Sequence, residues 1–376
     1  MPKTGSSGPS PSTSGRGGSP SPAERAAGRP RPVRGDADDG RDGAAGGRRR
    51  RAGPRLAHGL TLAVSSFAAF AAGSLWLALY PPVPRDLDGA PDLDRVARRV
   101  AIPVGRDALD GWVLEGPRRT VIVVFHGYGR DHARAWRYGD FLHRAGYDVI
   151  AVDFRSSRAR DRRPTTLGAH ELADAAATLA WVRAQPAFRG HRVALLGESL
   201  GASVALVTAA RDPQVAAVVA DCPFASGRRA LEDTFAWWTR LPGAPLAALL
   251  RVAARAATGH DPGALDVLAA AESLRATPLL LIHAQDDDRM RPAQAEDLWR
   301  AAGAKDERWL VPGGHNEGWQ RDPNGYARRV LAFLERPAGA GTARGGAGAR
   351  GAAAAHAAGA APGGRAAPSA RRGAAR

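Results

Sequence analysis

The chain has 376 residues, with 53 Lys and Arg against 37 Asp and Glu and a formal net charge of +16. Residues 1–55 carry +7 of that charge and residues 337–376 carry +6, which leaves +3 for the region between them. A middle so close to neutral argues against specific nucleic-acid recognition, and the single cysteine, Cys222, excludes an intramolecular disulfide.

In chain order, residues 1–55 come first, rich in Pro, Gly, Ser and Arg, and the matching tail at 337–376 is almost wholly Ala, Gly, Pro and Arg. Neither can bury enough apolar surface to offset its ordering entropy, so both are predicted to be disordered. Their charge suits at most unspecific attraction to anionic lipids or polymers. Residues 60–80 contain no charged side chain. About 20 helical residues span the hydrocarbon core of a bilayer. Arginines 48–51 and Arg55 precede this stretch, Trp76 and Tyr80 close its far end, and Pro81 and Pro82 stop it. The pattern predicts a single-pass anchor over 56–82, with the N-terminus cytoplasmic and the remaining chain on the extracytoplasmic side of the cell membrane. Two other readings fit the same residues. One is a signal peptide cut after Ala69-Phe70-Ala71. The other is a helix buried against the folded region.

The folded region is predicted at 83–336. Strands at 100–104 and 112–114 form a hairpin around Gly105 and Gly111. A β-branched run at 120–125 leads into His126-Gly127-Tyr128-Gly129-Arg130. Further strand-like runs occupy 147–155, 192–196, 216–220, 277–283 and 308–312. Helical runs at 133–145, 169–183, 200–211, 293–302 and 324–334 separate them. Strands alternating with helices imply an α/β class and a doubly wound, mostly parallel sheet buried on both faces. Between 224 and 262 two more helical runs, 229–239 and 245–257, interrupt the alternation.

The most informative motif is Gly197-Glu198-Ser199-Leu200-Gly201, with a strand before it and a helix after it. A sharp turn in that context lifts the serine above a sheet, at the positive end of a helix. Ser199 is therefore the candidate nucleophile. Such a serine needs a base, and the base needs an orienting carboxylate. Asp286, Asp287 and Asp288 follow the strand at 277–283, and His315 follows the strand at 308–312. Only one of the three adjacent aspartates can face the histidine. Asp221 also ends a strand and is read as a loop-capping carboxylate. Cys222 beside it is read as an inert, partly buried thiol rather than a nucleophile. No His/Cys/Asp/Glu cluster has metal-ligand spacing in the chain, and Gly-x-x-x-x-Gly-Lys is absent, so neither metal nor cofactor is inferred.

On these motifs, residues 98–336 resemble the alpha/beta-hydrolase superfamily. Asp148-Val149-Ile150-Ala151-Val152-Asp153-Phe154-Arg155 resembles its "vDxRG" strand, with Ser156 in place of the glycine. Pro164-Thr165-Thr166-Leu167-Gly168 and Asp221-Cys222-Pro223-Phe224 resemble the bacterial branch between monoglyceride-lipase-like and prolyl-oligopeptidase-like enzymes, without the β-propeller of the large oligopeptidases. The resemblance implies the chain order serine, acid, histidine. His283-Ala284-Gln285-Asp286-Asp287 aligns with the family's "HGxxD" and selects Asp287. Arg289-Met290-Arg291-Pro292 replaces the usual Val-Pro and admits a shift of one, to Asp288. The resemblance also implies an oxyanion hole from the backbone N–H groups of Tyr128 and Leu200. His126 then holds its loop, and the Tyr128 side chain lines an acyl pocket. Residues 224–262 take the place of the family's lid. Phe235, Trp237, Trp238, Leu246, Leu249 and Leu250 either face substrate there or pack a helical hairpin onto the core. The implied activity is hydrolysis of a small acyl substrate, an ester or thioester, through an acyl-enzyme. A peptidase and a catalytically silent binding module are the rivals, and no oligomeric state is implied.

Overall fold

The computed structural model describes residues 53–84, 92–157, 162–304 and 307–336, with side chains from residue 58 onward. The tails expected to be disordered thus lie outside the described residues, apart from helical backbone at 53–55. Of the compact unit Met1–His58, only the helical stretch from Gly53 is described. The compact unit Gly59–Arg376 holds everything else.

Helix α1 spans Gly53–Leu79, and α2, Leu93–Val96, precedes the sheet. Strands β1 (Arg98–Val104), β2 (Asp107–Leu114) and β3 (Thr120–Phe125) are followed by α3 (His132–Arg144) and β4 (Asp148–Val152). Then come α4 (Ala169–Ala184), β5 (Arg192–Glu198), α5 (Leu200–Arg211) and β6 (Val215–Asp221). Helices α6 (Gly227–Thr239), α7 (Gly243–Thr258) and α8 (Val267–Glu272) precede β7 (Leu279–Ala284), and α9 (Pro292–Ala301) precedes β8 (Glu307–Val311). Two helices end the unit, α10 (Gly318–Arg321) and α11 (Pro323–Leu334).

The eight strands form one sheet in the order β1-β2-β4-β3-β5-β6-β7-β8. β2 is antiparallel to both neighbours, and the strands from β4 across to β8 are parallel. This is the doubly wound sheet of the alpha/beta-hydrolase fold. In β3, Val121, Val123 and Phe125 pack with α4, α5 and α8 on one face. Ile122 and Val124 pack with α3 and α11 on the other. Such a two-sided run is what a parallel strand covered by helices requires.

One local reading changes, and one helix is new. The hairpin turns at Gly105 alone, in a left-handed conformation, while Gly111 lies inside β2 opposite Val100. A Cβ at Gly111 would come within 2.9 Å of the Val100 side chain and 3.0 Å of Ile102, so the glycine serves close packing and not the turn. The short α8, which seals one face with Val267 and Ala271, carries no periodic signal of its own length.

The insertion at 224–262 is the helical pair α6 and α7. Ala230, Leu231, Ala247 and Ala254 are buried, and Phe235, Leu246 and Leu250 are half-buried. Trp237, Trp238 and Leu249 remain exposed. Residues His58–Leu79 of α1 form a helix long and apolar enough to cross a membrane, with only 6% of its apolar window buried. That exposure overturns the buried-helix reading. The sheet faces are already covered by other helices, and the last turn of α1 hydrogen-bonds to the domain. There the Tyr128 hydroxyl donates to Ala78 O at 2.8 Å and Thr165 N–H to Leu79 O at 2.8 Å.

Candidate active site

Ser199 links β5 to α5 with φ +53° and ψ −113°, a conformation that L-residues rarely adopt. Its neighbours hold it there. A Cβ at Gly197 would lie 2.3 Å from Gly201 O, and one at Gly201 only 2.2 Å from Phe125 O. Only glycine lets α5 start this close to β3. Ser199 N–H donates to Asp221 O at 2.8 Å, and Ser199 O accepts from Ser203 N–H at 3.0 Å.

His315 follows β8 on the loop Gly313-Gly314-His315-Asn316. Its Nε2 lies 3.0 Å from Ser199 Oγ and its Nδ1 lies 2.6 Å from Asp287 Oδ2. Asp287, 2% exposed, is fixed through its other oxygen, which accepts from Met290 N–H at 2.7 Å and Arg289 N–H at 3.1 Å. His283 backs this loop, with Nε2–H donating to Met290 O at 2.7 Å. Burial pulls the His283 pKa below the usual histidine range and keeps the ring neutral.

The other aspartates point elsewhere. Asp286 is exposed and exchanges hydrogen bonds with Gly313, accepting its N–H at 3.3 Å. Asp288 is exposed. Asp221 does not cap a loop: it is buried and accepts from the hydroxyls of Tyr138 at 3.1 Å and Tyr326 at 2.8 Å. β6 ends beneath the elbow, so its terminal carboxylate is enclosed and must find donors from α3 and α11. Burial, then the nearby Glu198 charge, raises the Asp221 pKa.

On the other side of Ser199 lies the turn after β3. His126 Nδ1–H donates to Gly127 O at 2.8 Å, while its Nε2 accepts Phe154 N–H at 3.1 Å. Both ring nitrogens are thereby spent on the loop. A Cβ on Gly127 would come within 3.5 Å of Ser199 Cβ, so this turn passes directly beside the serine. Leu200, first in α5, has no preceding turn to receive its N–H. The α5 N-terminus and the Gly127 turn therefore both adjoin Ser199.

Beneath the elbow is a buried polar cluster that sequence reasoning missed. Glu198, 1% exposed, accepts from Arg134 Nε at 3.0 Å, Tyr138 Oη at 3.0 Å and Asn316 Nδ2 at 3.2 Å. Burial pushes its pKa up, but the Arg134 and Arg137 charges and these hydrogen bonds more than offset that and hold it below the usual carboxylate range. The only hint in the chain was a charged residue at the variable position of the elbow. Another unforeseen group is Cys222, Asp287 and His315, whose potential ligand atoms lie within 4.8 Å of one another. It is not spaced for metal along the chain. The Asp287–His315 hydrogen bond engages two of its members, and burial keeps the Cys222 thiol protonated by raising its pKa.

Residues 94–309 match the X-Pro dipeptidyl-peptidase (S15) family. The chain belongs to that family. It is a serine hydrolase with the alpha/beta-hydrolase fold. Among its relatives, an uncharacterized protein of Mycobacterium tuberculosis (strain ATCC 25618 / H37Rv) is 30% identical over 251 residues, covering 63% of this chain and 82% of the relative. The quorum-quenching protein AidA of Acinetobacter baumannii is 33% identical over 112 residues, 28% of this chain and 36% of AidA. Of solved structures, the Pyrococcus furiosus esterase Pf2001 superposes with a TM-score of 0.56 at 23% identity, over 69% of this chain and all of that one. The Pyrococcus horikoshii acylaminoacyl peptidase gives 0.50 at 17%, over 66% of this chain and 42% of that one. At such identities the structures speak for the fold of this S15 family member.

Proposed function

We propose that this S15 family member is an esterase acting on a carboxylic ester or thioester, with Ser199, His315 and Asp287 as its catalytic residues. The observation that carries the reading is His315 bridging Ser199 Oγ and Asp287 Oδ2 at 3.0 and 2.6 Å. His315 Nε2 takes the Ser199 proton as Oγ bonds to the acyl carbon. Asp287 fixes the ring with its proton on Nδ1 and stabilises the imidazolium. The N–H groups of Tyr128 and Leu200 receive the oxyanion. Collapse of the tetrahedral adduct breaks the bond to the leaving group, which takes the proton from Nε2. A water then gives His315 a proton, attacks the acyl carbon and frees the acid. The α6–α7 pair at 224–262 acts as the lid.

Family membership supports a second reading, a peptidase. A dipeptidyl-peptidase substrate presents a free ammonium, which needs an anionic partner near the nucleophile. The charges acting on the Tyr128 hydroxyl are instead the Arg289 and Arg162 guanidinium groups, and this favours the ester. A fluorophosphonate that labels wild type but not Ser199→Ala supports the nucleophile. Labelling that survives the substitution refutes it, and a wild type that never labels returns the fold to a silent binding role. Rates on matched esters, thioesters and X-Pro amides then separate esterase from peptidase.

We also propose that residues 58–79 anchor the enzyme in the cell membrane with the hydrolase outside. The arginines before the helix and Trp76 and Tyr80 at its end support that orientation. The protein then stays in the membrane fraction at full length after a carbonate wash, and external protease reaches the domain in spheroplasts. A soluble product beginning near Ala72 indicates a signal peptide instead.

A further inference from the structure

Arginines are the commonest charged side chains here, and those enclosed by this fold generally meet a carboxylate. Arg134 pairs with Glu198 and Arg155 with Asp174. Two beside the active site do not. Arg289 uses its backbone N–H to hold Asp287, yet its side-chain Nε is buried without a hydrogen-bond partner. Its guanidinium lies 5.9 Å from the ring centroid of Trp237 on α6. Arg162 donates from Nε to Ser156 O at 3.0 Å, but its Nη2 is buried and also without a partner. Among the described residues, no carboxylate forms an ion pair with either. Asp287 cannot serve Arg289, since one of its oxygens is held by two N–H groups and the other by His315.

Both charges act on one side chain. Arg289 and Arg162 are the cations acting on the Tyr128 hydroxyl, whose pKa burial nonetheless raises to about 12. Tyr128 adjoins Gly127, which passes beside Ser199. A desolvated guanidinium N–H with nothing to donate to is costly, and that cost is recovered when an oxyanion docks. The planar fork of a guanidinium matches carboxylate and phosphate alike. We infer that Arg289 and Arg162 form an anion subsite at the rim of the Ser199 site, so that the acyl compound hydrolysed carries a carboxylate or phosphate near its scissile bond. The inference rests on the esterase reading, and its binding arm is independent of turnover.

The test uses the full-length protein in nonionic detergent. In Ser199→Ala protein, calorimetry compares monomethyl glutarate with methyl valerate, which have equal acyl chain length and differ by one charge. The anion should bind at least about tenfold more tightly, as expected for a charge-assisted hydrogen bond. Adding Arg289→Gln or Arg162→Gln should abolish that preference, and Arg289→Lys should keep part of it. Equal binding of the two esters, or a preference that survives both Gln variants, overturns the inference. Competition by glutarate against inorganic phosphate assigns the anion to carboxylate or phosphate, and competition by neither also overturns it. In wild-type protein, the ratio of kcat/KM for p-nitrophenyl hemiglutarate over p-nitrophenyl valerate should fall at least about tenfold in Arg289→Gln. If the anion binds but neither ester turns over, the esterase reading fails while the subsite stands.

Discussion

Glu198 offers the sharpest test of what holds the elbow in place. Replacing it by Gln keeps the shape and removes a charge that faces Arg134 Nε at 3.0 Å and Arg137 Nη1 at 3.7 Å. The pair is enclosed: Glu198 and Arg137 are 1% and 2% exposed, and Arg134 is 8% exposed. Removing one partner of a buried ion pair costs about 3–5 kcal/mol, because the remaining charge stays desolvated. At about 2–4 °C per kcal/mol for a domain of this size, Tm should fall by roughly 6–20 °C. The exposed pair Arg98–Glu115, at 2.9 Å, is the control, and Glu115→Gln should cost no more than about 1 kcal/mol. Thermal and urea unfolding followed by circular dichroism read both variants. Turnover should fall as well, since Glu198 Oε1 holds Asn316, the residue after His315, at 3.2 Å. A Glu198→Gln protein that melts within about 2 °C of wild type would refute the reasoning, and the cluster would then be replaceable polar packing.

Two further outcomes follow from the same geometry. Asp287→Asn should lower kcat by about four orders of magnitude, as loss of an orienting carboxylate does in the serine-protease template. Asp286→Asn and Asp288→Asn should do far less, and steady-state kinetics in which either of these is the crippling change contradicts the assignment. The other outcome concerns pH. Burial depresses the His283 pKa in the folded protein, so below about pH 6.5 the unfolded chain takes up a proton that the native state refuses. The stability tied to neutral His283 is thus present above the unfolded pKa and lost as pH falls, by up to about 1.4 kcal/mol per pH unit. Urea unfolding of His283→Gln should show a shallower decline between pH 6.5 and 5, and an unchanged slope would mean that His283 is not the group responsible.

By itself the amino-acid sequence determined the alternation of strands and helices, the place of the elbow and the loops that follow β7 and β8. Those are properties of short windows: β-branched runs such as 120–125 suit a strand covered on both faces, and Gly197 and Gly201 flank Ser199 at the spacing that a tight strand-to-helix turn needs. It also marked the apolar stretch at 60–80, because length and lack of charge need no partner to be seen. The resemblance selected Asp287 but left a shift to Asp288 open, and composition alone did not separate the three adjacent aspartates. Neighbours in sequence share composition and differ only in where the turn after β7 aims them, and the N–H groups of Arg289 and Met290 turn Asp287 inward. The same holds for Glu198, whose partners Arg134, Tyr138 and Asn316 come from α3 and from the loop after β8. A buried charge is legible only once its hydrogen-bond and charge partners are in place, and residues 60 to 118 positions away supply them here. Arg289 shows the converse. In the chain it is one arginine among many, and only the packed structure reveals that its Nε is enclosed with nothing to receive its proton.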